Sequence, residues 1–65
     1  MVVIVNGREI ETDARMLADL VAEQALGGAR IATALNGQFI AAARRAETPI
    51  VPGDRIEIVS PRQGG

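Results

Sequence analysis

Two Asn-Gly dipeptides, Asn6-Gly7 and Asn36-Gly37, each stand between short runs of strand-forming residues. This restricts the fold more than any other feature. A two-residue hairpin of the favoured type needs positive φ at both turn positions, which Asn and Gly tolerate best. Each dipeptide therefore predicts an antiparallel hairpin. Residues 1–5 read as a strand and residues 8–12 as its partner, with Ile10 facing inward. Residues 31–35 and 38–40 form the second pair. A last run, residues 55–60, alternates cleanly: Ile56 and Ile58 face one way, and Arg55, Glu57 and Val59 the other.

Between the hairpins the period changes. Leu17, Leu20 and Val21 lie on one helical face with Ala25 close behind, while Asp19 and Glu23 point elsewhere. A helix is predicted over about residues 15–26. Thr12 and Asp13 are the candidate N-caps, and Gly27-Gly28 the stop. Residues 41–47 are open between a helical turn and a loop. Pro49 and Pro52 exclude a regular helix nearby, and residues 51–54 read as a turn in which Asp54 serves the chain after Gly53. One helix against one small sheet buries both apolar faces, an α+β fold.

Sixty-five residues make one domain, and 48% hydrophobic residues supply one small core. With one Phe and no Trp or Tyr, that core must come mainly from Val, Ile, Leu and Ala. A net charge of -1 and a pI near 5.2 argue against a nucleic-acid binder, which would show a basic face and stacking aromatics. There is no membrane-spanning run and no signal peptide, so a cytoplasmic protein is expected. All seven basic residues are Arg. A chain without Lys cannot be joined to itself through a lysine side chain, although codon bias is the simpler explanation.

Cys and His are absent. The chain therefore has no disulfide, no thiol nucleophile, no imidazole base and none of the commonest metal ligand. It also lacks a Walker-type or dinucleotide-binding glycine motif. A self-sufficient enzyme is not expected.

The sequence divides into a folded unit, residues 1–60, and a tail, residues 61–65, reading Pro-Arg-Gln-Gly-Gly. Pro61 cannot donate a ladder hydrogen bond and should end the last strand. Five extended residues reach about 16–18 Å. Gly64 and Gly65 have no side chains, so such an end can thread a narrow channel. A frayed or truncated end would look the same in isolation. The compact pattern stopping just before it favours a flexible working tail.

Several segments together resemble the ThiS sulfur carriers of thiamine biosynthesis. They are Ala34-Leu35-Asn36-Gly37 with Phe39-Ile40, Ala46-Glu47-Thr48-Pro49, the run from Gly53 to Val59, and the Gln63-Gly64-Gly65 end. The resemblance covers essentially the whole chain. It implies a β-grasp, ubiquitin-like fold: a small mixed sheet packed on one helix. It also implies a carrier rather than an enzyme, with no bound cofactor. A ThiF-type adenylating enzyme would use ATP on the Gly65 carboxylate. A cysteine desulfurase or rhodanese-type donor would supply sulfur for a thiocarboxylate, and thiazole synthase would consume it. Gly64 and Gln63 would thread into the partner. Two departures bear on partner contacts. Ala41-Ala42-Ala43 replaces a segment that often holds Pro and polar residues, and Arg62 stands where Met is common.

Val59, Phe39 and Arg62 are candidate docking residues. Phe39 reads more readily as core than as a contact residue, with an exposed hot spot the alternative, and isolated surface apolar residues such as Val59 are normal. Arg44 and Arg45 read as solvated, with electrostatic docking to an acidic partner as the lesser alternative. The carboxylates form no clear metal or acid–base constellation. Sulfur carriage into molybdopterin, cysteine or tRNA thiolation, or a ubiquitin-like modifier role, remains open. No nucleic acid or membrane partner is expected.

Overall fold

The computed structural model describes residues 1–24 and 30–60. Strands β1 (Val2–Val5) and β2 (Arg8–Glu11) form the first hairpin, and β3 (Ala32–Leu35) and β4 (Gln38–Ile40) the second. Both turns form as their sequences require. Asn6 and Gly7 have φ of 52° and 84°, and Asn36 and Gly37 have 50° and 87°. Helix α1 spans Leu17–Glu23 and β5 spans Arg55–Val59.

The five strands lie in the order β2-β1-β5-β3-β4. β5 runs parallel to β1 and antiparallel to β3, so the last strand joins the two hairpins. β5 can take the centre because Ile56 and Ile58 give it a fully apolar inner face. The edges suit exposure. β2 reads Arg-Glu-Ile-Glu and β4 is only three residues long, two of the usual defences against edge pairing.

Helix α1 lays Leu17, Leu20 and Val21 on the inner sheet face, against Val3, Val5, Ile56 and Ile58. Ala14 and Ile50 complete the buried cluster, and Ile10 packs against it from β2 as expected. Each such Leu or Ile contributes on the order of 1.5–3 kcal/mol by leaving water. This is the β-grasp arrangement: a mixed sheet holding one helix across its concave side.

Three local expectations are corrected. Neither Thr12 nor Asp13 caps the helix. The N-cap is Met16, which makes no side-chain capping bond. The reason is tertiary. Residues 12–16 run extended beside 48–50: Ile50 N–H donates to the Arg15 carbonyl at 3.0 Å, and Leu17 N–H to the Thr48 carbonyl at 2.8 Å. The backbone groups of this approach are thus committed to another segment. Thr12, buried, instead accepts from Ala14 N–H and donates to Glu23 Oε1, fastening the approach to the far end of the helix. The expected helix end at residues 25–28 falls outside the described residues.

The ambiguous stretch is a 3₁₀ helix, Ala42–Glu47. Arg45 is not a solvated cation. Its Nε donates to Thr33 Oγ1 at 3.0 Å and its Nη2 to the Ile31 carbonyl at 2.9 Å. Thr33, 1% exposed, donates its own hydroxyl to the Ile40 carbonyl at 2.8 Å. Arg44 does project outward, 4.0 Å from Glu47.

The 51–54 turn forms around Pro52 and Gly53, the latter at φ 88°. Asp54 accepts from Val51 N–H with Oδ2 and from Asn36 Nδ2 with Oδ1. It therefore serves the turn, as expected, and ties it to the second hairpin.

Candidate functional site on the outer sheet face

The sheet face turned away from α1 has no covering layer among the described residues. Register decides what it carries. In β3–β4 Ala34 faces Phe39, and in β3–β5 Ala32 faces Val59 and Ala34 faces Glu57. Side chains alternate along each strand. Thr33, Ile40, Ile56 and Ile58 point to the helix, so Ala32, Ala34, Phe39 and Val59 share the outer face.

Phe39 is 71% exposed and Val59 56% exposed. Two small alanines lie between them on the intervening strand and leave a shallow apolar floor. Arg55 and Glu57 continue the same face of β5 and give it a charged margin. An exposed aromatic at one side of a flat apolar floor is the kind of anchor that dominates protein–protein binding.

The patch lies at the tail-bearing end of β5. Val59 is the last strand residue, and Ser60 leads into residues 61–65. Arg62, Gln63, Gly64 and Gly65, the remaining candidate site residues, lie outside the described residues.

Two side chains read from sequence only as turn formers hold β5 in place, Asn6 near its tail-bearing end and Asn36 at its start. Asn6 donates from Nδ2 to the Ile58 carbonyl at 3.0 Å and accepts Ile58 N–H on Oδ1 at 2.9 Å. Its amide replaces a peptide unit and prolongs the parallel ladder past Val5, where β1 has already turned away. On the side of β3, at the start of β5, Asn36 makes one such bond, accepting Arg55 N–H on Oδ1 at 2.9 Å. The last strand is thus gripped from both neighbours beyond the ends of their ladders. No local pattern signals these bonds, because Asn6 and Ile58 are 52 residues apart.

Phe39 is therefore not the core residue that its type suggests, and its exposure did have a usable signal. A two-residue turn at Asn36-Gly37 makes Leu35 the partner of Gln38, and hence Ala34 the partner of Phe39. The core is then met by Ile40, one residue on.

Two hollows mark the described surface. One of about 320 Å³ is bordered by Phe39, Ile40, Arg44 and Thr48, so Phe39 divides it from the flat patch. The larger, about 460 Å³, is lined by Met1, residues 12–16, Pro49 and Ile50. It sits near the start of β5, at the end opposite the tail, so its greater size does not make it the functional site. Among the described residues no group of acidic side chains could hold a metal ion, and no helix is long and apolar enough to cross a membrane.

The sequence matches the ThiS family over residues 3–65. Among solved structures, a thiamine biosynthesis protein (ThiS) from Geobacter metallireducens is similar with a TM-score of 0.84. The alignment covers 100% of each chain at 23% identity, a likeness of fold. No curated protein sequence matches. The family match reaches from β1 through the tail, and the chain belongs to the ThiS family, the sulfur carriers that its sequence resembles.

Proposed function

We propose that this chain carries sulfur for thiamine thiazole synthesis as a thiocarboxylate on Gly65. The observation that carries the proposal is the family match, which extends over the Gly64-Gly65 end. Composition supports it. With no Cys and no His, the terminal carboxylate is the one group in the chain suited to holding transferable sulfur. A carboxylate is ionised at pH 7 and a poor electrophile. A ThiF-type partner would transfer AMP from ATP to it, and a sulfur donor would then displace AMP. Thiazole synthase is the proposed recipient, in keeping with the thiamine biosynthesis protein that shares the fold.

Phe39, Val59 and Arg62 are the proposed docking residues. A partner seated on the outer face would hold β5 still while Gln63, Gly64 and Gly65 enter its active site. The chain supplies the cargo site and the docking face, and the catalytic groups are the partner's.

The test is intact-mass spectrometry after incubation with ATP, a sulfur source and an active ThiF-type enzyme. The mass should rise by the oxygen-to-sulfur difference. Deleting Gly65 should abolish the rise and leave the fold unchanged. An unchanged mass in the presence of an enzyme proven active on another carrier would overturn the proposal.

A further inference from the structure

The chain carries one dipeptide twice, Asn6-Gly7 and Asn36-Gly37, and the two turns have nearly the same backbone. A Cβ built on either glycine would meet nothing within 4 Å, so neither turn is crowded. Asn followed by Gly is the pairing most open to loss of the side-chain amide, because the second residue has no side chain to hinder attack by its backbone nitrogen. The two sites differ in what holds each amide.

Asn6 places both polar atoms of its side chain on the backbone of β5. Nδ2 donates to the Ile58 carbonyl at 3.0 Å and Oδ1 accepts Ile58 N–H at 2.9 Å, and both bonds are partly buried. Turning this amide away would leave two backbone groups of the central strand unpaired with poor access to water, the costly way to lose a hydrogen bond. Asn36 is held at the surface. Its Nδ2 donates to Asp54 Oδ1 at 3.0 Å and its Oδ1 accepts Arg55 N–H at 2.9 Å, and both bonds are exposed. Water can replace the amide at each of these partners. The Asn36 amide therefore turns toward Gly37 more often than the Asn6 amide turns toward Gly7.

We infer that Asn36 is a deamidation site, and that the fold shields Asn6 from the same reaction. The Gly37 nitrogen forms a bond to Cγ of Asn36, the Cγ–Nδ2 bond breaks, and ammonia leaves with the proton from Gly37 N–H. The resulting succinimide takes up one water. Water adds to either ring carbonyl and the ring C–N bond at that carbon breaks, leaving aspartate or isoaspartate in place of Asn36. The change matters because of Asp54. Its other oxygen accepts Val51 N–H at 2.8 Å, so this carboxylate ties the turn before β5 to the second hairpin. After deamidation a second carboxylate faces it where an amide donor stood, and like charges at this spacing repel. Isoaspartate also adds a backbone carbon to a turn that fits two residues. Either product loosens the start of the central strand.

The test is peptide mapping of the wild-type chain held in mildly alkaline buffer. Trypsin cuts after Arg8, Arg30 and Arg44, which places Asn6 and Asn36 on separate peptides. Deamidation shifts a peptide by the mass difference between a hydroxyl and an amino group. In the folded chain the Asn36 peptide should convert roughly tenfold faster than the Asn6 peptide, or more. In concentrated urea, where neither amide is held, the two should convert at similar rates. A second measurement addresses the consequence. Asn36→Asp should lower the urea midpoint, and adding Asp54→Asn, which exchanges donor and acceptor across the pair, should restore most of the loss. Equal rates in the folded chain would overturn the inference, as would a gap of the same size in urea. A double variant no more stable than Asn36→Asp alone would overturn the role given to Asp54. None of these readouts involves sulfur, so failure here is distinct from failure of the proposed carrier function.

Discussion

The side-chain amide of Asn6 pairs with both backbone groups of Ile58, at 3.0 Å and 2.9 Å. A turn residue of the first hairpin thereby fixes the strand that leads into the tail. Replacing it by Gly keeps the positive φ but removes both bonds. Each is worth roughly 0.5–1.5 kcal/mol net, so Asn6→Gly should lose about 1–3 kcal/mol. Asn6→Ala should lose about 1 kcal/mol more, because Ala also resists the left-handed backbone. Urea unfolding of the two variants gives the order. If Asn6→Gly matches the wild type, the amide does not hold β5.

Adjacent arginines should respond differently. Arg45→Ala strips a donor from the buried Thr33 hydroxyl and another from the Ile31 carbonyl. A cost of about 1–3 kcal/mol is expected. Arg44→Ala breaks only an exposed pair at 4.0 Å and should change stability by less than about 0.5 kcal/mol. Thermal unfolding monitored by circular dichroism distinguishes them, and equal effects would contradict the assignment.

Core and patch should separate stability from binding. Leu20 is fully buried, and Leu20→Ala should cost about 2–5 kcal/mol, enough to threaten so small a domain. Phe39→Ser with Val59→Ser removes two exposed side chains and should leave the unfolding midpoint almost unchanged. The same double variant should bind a ThiF-type partner at least tenfold more weakly, as titration calorimetry would show. Unaltered affinity would remove the outer face as the docking surface.

The Met1 ammonium gives stability a dependence on alkaline pH. Its pKa in the folded chain is raised above 8.0, chiefly by the hydrogen bond to Glu11. A cation held this way stabilises the fold fully below its unfolded pKa, and the contribution disappears as pH rises through the folded value. Urea midpoints should therefore fall from pH 7 to pH 10, and less so in Glu11→Gln. Identical slopes would show that the contact is too exposed to matter, Glu11 being 75% exposed.

The parts of this fold that were legible in the sequence are those set by nearest neighbours. Asn6-Gly7 and Asn36-Gly37 each dictate a turn whose strands must alternate, and residues 55–58 alternate polar and apolar. Leu17, Leu20 and Val21 declare the buried face of the helix by their spacing. The start of that helix was not legible, because it depends on residues 12–16 meeting 48–50 across the fold. Arg45 and Arg44 are indistinguishable as letters, and only the 3₁₀ helix turns one onto Thr33. In the candidate site Val59 was visible as an apolar break in the polar face of its strand. Phe39 required the hairpin register to be carried through the turn, and the ladder-extending role of Asn6 required the whole sheet.

β5 is the last strand in the chain and the middle strand of the sheet, with β1 on one side and β3 on the other. During translation the centre of this protein is therefore made last. Until Ile56 and Ile58 emerge, the two hairpins have nothing to join them, and a hairpin alone is marginal in water. A polypeptide that stalls before this strand remains open to proteases.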